Sequence, residues 1–574
     1  MHELFKYSGV MTVDAERKWI TSALGWTCFL CTVAVLPGVA FDPINLPKLT
    51  VLTICALAIL GLIFTNLQGL SSSFKRLPVF LIALFCLNLL AVLIFSGSDF
   101  YESFYGTFGR STGFLNYLCL AILLFAGTQI QNALGFERIS FFLFVSGSVS
   151  LFYGILQVFD LEFLSWSNPY GPVIGFLGNP NFQSSFLAFF GILLVARLLG
   201  ESSFNKRSIT YLVVSIFNVF VIYKTNSQQG LLVLAIGVFF LVFIWIKHTK
   251  LKRAFIPLGV IGGSGLILGI LGILNFGPLA KWLFGPTVSY RGDYWEAGWR
   301  MTLDHPLLGV GLDNYGEWYR RSRSIEATLR RGPDITSNAA HNVFLDISSN
   351  GGFPLLIIYV LLMLFVSFAA INLIKRSLST RFDSSIVGLI TVWLAYQIQS
   401  VISLNQIGLS VWGWAISGLI IGLYIHNQPI KDEKVHQLHQ KDKKDQKKKA
   451  VSVHPRTVLG IFVGALIGML VSIPSLASSM NYLSTLKSGN LENIQSATNS
   501  WPPNLAHQLQ TAASFRDASF NEQSLQVTRS LLARYPDSYR GWEILASLPN
   551  VDEKEVLKAK AQMKRLDPLN PNLK

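Results

Sequence analysis

The residues with the clearest chemical potential stand in one polar stretch, roughly 276–353, set between two apolar runs. It contains Tyr290-Arg291-Gly292-Asp293-Tyr294-Trp295-Glu296-Ala297-Gly298-Trp299-Arg300. On a helix, the four-residue spacing sets Arg291, Trp295 and Trp299 along one face. A guanidinium pairs bidentately with phosphate and a flat ring covers the face of a sugar, so this face suits a phosphorylated sugar. It also suits an interfacial aromatic belt with an arginine reaching lipid headgroups. Further on come Asp304-His305-Pro306-Leu307-Leu308-Gly309-Val310-Gly311 and Asn338-Ala339-Ala340-His341-Asn342, the second leading through Gly351 and Gly352 into an apolar run. A neutral His341 could act as general base or orient an acceptor hydroxyl, or it could pack. The i+4 position carries no second His, Cys or acidic residue, so the spacing of a helical metal pair is missing.

These residues must be positioned by membrane helices. Of 574 residues, 51% are hydrophobic and 14% charged, with mean hydropathy +0.45. A soluble protein carries about 25% charged residues, so a single water-soluble globule is excluded. Apolar windows long enough to cross ~30 Å of hydrocarbon fall at roughly 19–40, 48–66, 77–96, 112–130, 138–159, 181–199, 208–224, 229–247, 254–275, 354–374, 385–404, 408–426 and 457–475. The expected fold is an all-α polytopic bundle of about 13 transmembrane helices. The first window lacks a small-residue cleavage pattern and reads as an anchor. All five cysteines lie in apolar segments, which leaves no disulfide framework for the polar parts. No window has an Asp, Glu, Lys or Arg near its middle, which disfavours an ion-coupled transporter. The polar residues of the eleventh (Tyr396, Gln397, Gln399, Ser400) read better as interhelical hydrogen-bonding groups than as the lining of a cleft.

The net charge of +15 raises the question of nucleic acid, but the position of the charges gives a better account. The N-terminus and alternate connections hold 25 Lys and Arg, whereas the short connections on the other side hold only Lys48, Arg110 and Lys224. The positive-inside rule puts the first set in the cytoplasm. The expected order is a cytoplasmic N-terminus at 1–18, a twelve-span core at 19–426 with an extracytoplasmic loop at 276–353, a Lys-rich cytoplasmic linker at 427–456, a thirteenth span at 457–475, and an exported tail at 476–574. In the tail, Pro503, Pro536 and Pro568 recur at spacings of 33 and 32, near the 34-residue period of tetratricopeptide helix pairs. A docking module separate from the active site, with a possible protein partner, and a small helical cap both fit.

Arg291 with a following Trp, His-Pro-Leu-x-Gly-x-Gly at 305–311, Ala-His-Asn at 340–342 and the Gly-rich approach to a helix together resemble the outside loop of the O-antigen ligase and polymerase superfamily. Gly106-Thr107-Phe108-Gly109-Arg110-Ser111-Thr112-Gly113 is similar to its G-x-x-x-R-x-x-G turn. Gly178-Asn179-Pro180-Asn181 is similar to its Gly-x-Pro-Asn turn. The resemblance covers about residues 20–426. It implies a metal-independent, cofactor-free glycosyltransferase at the bacterial inner membrane, moving a glycan from an undecaprenyl-diphosphate carrier to a hydroxyl on lipid A-core, polysaccharide or protein, as in lipopolysaccharide biosynthesis. It further implies that Arg291 meets the diphosphate with Arg110 and Lys224 as auxiliary cations, that His341 acts on the acceptor hydroxyl, and that Trp295, Trp299 and Tyr315 touch sugar. The family's Ser-Arg-Gly pattern is replaced by Thr225-Asn226-Ser227-Gln228-Gln229-Gly230, so its second phosphate-binding arginine is missing, and Leu355 stands where a second Gly is usual. The alternatives are a protein O-oligosaccharyltransferase or O-antigen polymerase of the same superfamily and, in another class, a membrane transporter. A metal-dependent oligosaccharyltransferase lacks its Trp-Trp-Asp signature here.

Overall fold

The computed structural model describes residues 13–65, 76–165, 171, 173–283, 285–426 and 455–573. Most of the N-terminal 1–18 segment and of the Lys-rich linker lies outside them. Among the described residues every regular element is a helix. The membrane part comprises α1 (Val13–Val33), α2 (Asn45–Thr65), α3 (Arg76–Phe95), a short α4 (Phe100–Tyr105), α5 (Phe114–Thr128), α6 (Ala133–Val158), α7 (Pro180–Gly200), α8 (Lys206–Lys224), α9 (Gln228–Ile246) and α10 (Phe255–Ile273). The polar loop folds into α11 (Pro286–Asp304), α12 (Tyr315–Ser322) and α13 (Ile325–Arg331). The chain then continues as α14 (Val343–Ser379), α15 (Ser384–Ile402), α16 (Ile407–His426) and α17 (Pro455–Ser488). The tail holds α18 (Leu491–Thr498), α19 (Leu505–Asp517), α20 (Asn521–Arg534), α21 (Tyr539–Ser547) and α22 (Glu553–Leu566).

A helix stands at each of the thirteen apolar windows, and among the described residues eleven helices are long and apolar enough to cross a membrane. The two that fall short are α1, whose first turns are charged, and α5, at 15 residues. The helix α16 is enclosed from Ile407 to Leu423, whereas α10 is largely exposed along its described length and lies at the rim of the bundle. Lys48, counted above among the basic residues of short connections, belongs instead to α2. Its fully buried ammonium donates to the carbonyls of Cys31 (3.0 Å), Thr32 (2.8 Å) and Ala34 (3.0 Å). It thereby caps the C-terminal end of α1, where the helix leaves carbonyls unpaired and its dipole favours a cation.

Residues 457–475 form part of a 34-residue helix, α17. At 1.5 Å per residue it outruns the hydrocarbon and continues to Ser488 as the first helix of the tail. Gly460, Gly464 and Gly468 lie along one face of it, and a Cβ at any of them would strike the backbone of α2 at Gly61, Leu57 or Ile54. Small residues at four-residue spacing let two membrane helices approach this closely, so that dispersion and backbone dipoles hold them. Where the tail begins, Tyr482 stacks on His507, with ring centroids 4.1 Å apart, and its hydroxyl donates to the His507 carbonyl.

Candidate active site

The loop is a small folded unit. Helix α11 turns Ala297 and Met301 inward against Tyr315, Tyr319, Val310 and Ala340. Its Arg291–Trp295–Trp299 face forms the flank of that core. Tyr315, expected to touch sugar, is 1% exposed and donates its hydroxyl to the Tyr294 carbonyl at 2.7 Å, so in this structure it braces α11 from within. Trp299 is 45% exposed and meets Phe353 edge-on. Trp295 is half-buried, and its indole N–H has no acceptor among the described residues.

The His-Pro-Leu-x-Gly-x-Gly run serves as a backbone clasp. Phe353 N–H donates to the Pro306 carbonyl and Val310 N–H to the Ser349 carbonyl, each at 2.8 Å. Gly309 (φ +62°) and Gly352 (φ +74°) lie in the left-handed region at the crossing, and a Cβ on either would overlap the opposite backbone. Gly352 also breaks α14 into a short outer segment and the long membrane helix. His305 lies edge-on to Trp318, with centroids 4.6 Å apart, and works in packing.

His341 sits at the start of that outer segment, fixed on both sides. Asn342 caps α14 by accepting from the Phe344 and Leu345 amides, as Asn does at helix starts. The Ala340 amide donates to the Asp346 carboxylate at 2.7 Å. Arg110 donates to the Asn338 carbonyl at 3.0 Å. His341 has φ +54°, and Ser111 (+53°) and Asp313 (+60°) share that left-handed backbone nearby. Such residues cost about 1–3 kcal/mol each and gather at functional sites.

Arg110 has a different setting from the one expected of an auxiliary cation. It lies between the carboxylates of Asp313 (3.4 Å) and Asp346 (3.8 Å), with all three side chains nearly inaccessible. The Gly106–Gly113 turn wraps the Asp313 carboxylate, which accepts from the Thr107 and Thr112 amides and from the Thr112 hydroxyl. The G-x-x-x-R-x-x-G turn thus binds an internal anion and ties the connection between α3 and α5 to the loop. Lys224 is exposed at the end of α8, with its ammonium 5.6 Å from the Phe220 ring. In the Gly178-Asn179-Pro180-Asn181 turn, Asn179 caps α7 and Asn181 accepts from the Ser227 hydroxyl at 2.7 Å, which fixes the segment where the family arginine would stand.

The cations that face His341 are Arg110, Arg291 and Arg331. Arg291 is half-buried and makes no hydrogen bond or ion pair among the described residues; burial pushes its pKa down. Arg331, which sequence reasoning did not single out, lies 4.4 Å from the Tyr290 ring and 5.2 Å from that of Tyr294, and it donates to the Tyr294 hydroxyl. The His341 ring stacks on Tyr294 at 5.2 Å. Only the repetition of Tyr at 290 and 294, one helical turn apart, hinted at this arrangement. Burial, followed by these three arginines, pushes the His341 imidazole down to about 4, which leaves it neutral near pH 7. Among the described residues no group of three or more His, Cys, Asp or Glu is placed to hold a metal ion.

Residues 212–360 match the family model described as O-antigen ligase, a stretch that carries Lys224, Arg291, Trp295, Trp299, Tyr315, Arg331 and His341. No curated protein matches the chain. Over residues 212–360 the chain is thus similar to the O-antigen ligase family.

Proposed function

We propose that the protein is a ligase-type glycosyltransferase that moves a glycan from an undecaprenyl-diphosphate carrier to a hydroxyl of lipid A-core or a polysaccharide, on the outer face of the bacterial inner membrane. The observation that carries this reading is the half-buried, unpaired Arg291 beside a neutral His341. An unpaired guanidinium out of bulk water favours an anion, and a neutral imidazole can take a hydroxyl proton.

In this reading the acceptor oxygen attacks the anomeric carbon, the bond from that carbon to the diphosphate oxygen breaks, and the acceptor proton passes to His341. Negative charge grows on the departing diphosphate and is met by fixed cations. Arg291 is the first of these and Arg331, held by two tyrosines, the second; Arg331 takes the place left by the missing family arginine. Arg110 holds the His341 backbone through Asn338, since Asp313 and Asp346 already neutralise it. Trp295 offers its free N–H and its ring to the sugar, with Trp299 beside it and Tyr315 behind. Asp346, Asp313 and Asp293 are paired with Arg110 or Arg330, which supports transfer without a divalent metal.

The test is reconstituted protein with a lipid-linked oligosaccharide in chelator-containing buffer and no ion gradient, offered lipid A-core, polysaccharide or protein in turn. Consumption of donor with product on a hydroxyl acceptor is expected. Failure to consume donor with any acceptor would overturn the reading, and activity lost to EDTA and restored by Mg²⁺ would overturn its metal independence.

A further inference from the structure

The tail is fastened to the loop by a buried ion cluster. Asp567, fully buried just beyond α22, accepts from Arg323 at 2.8 Å on each carboxylate oxygen, from Arg320 at 3.0 Å and from Asn570 at 3.1 Å. Arg323 is 1% exposed, and an arginine is almost never so deeply buried unless it is paired. The same two guanidiniums reach onward: Arg320 donates to the Pro333 carbonyl at 2.7 Å and Arg323 to the Ile335 carbonyl at 3.2 Å.

Pro333 and Ile335 lie in the non-helical stretch that runs from Arg331 to His341. A segment without a ladder of its own must find donors for its carbonyls elsewhere. Two are supplied by Arg320 and Arg323, and a third by Arg110 at Asn338. We propose that Asp567 is a positioning residue of the transferase site: by holding Arg320 and Arg323 together it sets the backbone between Arg331 and His341, so that the end of the tail is a working part of the catalytic loop. Without this carboxylate, two like charges would face each other in a poorly solvated place, and each guanidinium would turn toward water and release its carbonyl. The neighbouring pairs are more exposed and touch none of these carbonyls: Arg321–Asp537 (3.2 Å) at the rim of the same interface, Arg565–Asp537 (2.6 Å) within the tail, and Arg534–Asp99 (2.9 Å) between the tail and the residue that caps α4.

This inference rests on the transferase reading, and the experiment separates the two. Full-length wild type, Asp567→Asn, Asp567→Glu, Arg320→Met and the rim control Asp537→Asn are reconstituted. Each is assayed well below its unfolding temperature for donor KM and kcat, and for amide exchange over 333–341 by mass spectrometry. Asp567→Asn is expected to lose ~10²-fold in kcat, since a displacement of about 1 Å at a reacting group has that effect, with donor KM little changed. Asp567→Glu should recover part of the loss, Arg320→Met should fall between, and Asp537→Asn should keep the wild-type kcat. Amide exchange at 333–341 should rise in Asp567→Asn and stay at the wild-type level in Asp537→Asn. Folded Asp567→Asn with wild-type kcat and exchange would overturn the proposal; if that variant does not fold, the same result in Arg320→Met would do so. A wild type that transfers nothing from a lipid-linked donor would instead overturn the transferase reading, and the exchange data would still decide whether Asp567 orders the segment.

Discussion

The imidazole of His341 lies against the phenol ring of Tyr294, with centroids 5.2 Å apart and planes inclined by 27°, and the Tyr294 hydroxyl accepts from Arg331. One tyrosine on α11 therefore sets both the proposed base and a cation, and Tyr315 in turn holds the Tyr294 carbonyl.

Arg291 and His341 should separate in their kinetic effects. Arg291→Lys keeps the charge but not the bidentate fork, and the loss of one such contact costs ~10²–10³ in rate. His341→Ala should lose ~10²–10⁴ in transfer while still binding donor. Transfer rate, donor affinity and thermal stability of each purified variant provide the check. A well-folded His341→Ala enzyme with near-normal transfer would remove His341 from the mechanism.

The acid limb of the pH profile should lie well below that of an ordinary imidazole. With His341 held down to about 4, the neutral form persists as pH falls through 6.5, and transfer should drop only as pH nears 4. The stability effect follows the same sign. Between 6.5 and about 4 the unfolded chain binds a proton at this position that the folded one does not, so the native state loses stability as pH falls across that window. His341→Gln should flatten that part of the stability curve relative to wild type. A limb centred at 6.5 would show that the imidazole is not buried among cations in the working enzyme.

Arg331→Ala should slow transfer by ~10²-fold or more and also move the acid limb upward, because one of the three positive charges near His341 is gone. Lys224→Ala should change neither quantity appreciably. Equal losses in the two variants, with no shift of the limb in Arg331→Ala, would return the auxiliary role to Lys224.

Arg110→Ala should act chiefly on stability. It leaves Asp313 and Asp346 without their buried partner, a change that typically costs about 3–5 kcal/mol. Arg291→Ala removes no ion pair and should lower stability by less than about 1 kcal/mol. Denaturant or thermal unfolding of the two variants side by side tests this, and a stable Arg110→Ala protein would contradict the buried triad.

Reporter fusions at residues 330 and 520 should both give the outside signal, and one at 440 the cytoplasmic signal. Arg323 and Asp567 cannot pair unless loop and tail share a face of the membrane, so opposite signals at 330 and 520 would contradict the fold itself.

The sequence by itself determined the membrane architecture, because burying some twenty consecutive apolar residues leaves a helix as the open-chain way to satisfy their backbone; thirteen windows were legible, and thirteen helices stand there. It also determined that 290–300 is a helix and that His341 lies beside a helix start, since helical period and Asn capping are local properties. Tertiary structure alone decided what the charges do. Arg110 is consumed by Asp313 and Asp346, Lys48 caps a helix end, Tyr315 is enclosed, and Arg331 arrives beside His341 through Tyr294. The proline spacing of the tail carried no record of its place against the loop through Asp567. The physical reason is range. Caps and periodicity act within a few residues, whereas an ion pair depends on which distant segments packing brings within ~4 Å in a poorly solvated interior, and the local pattern around either partner does not record that.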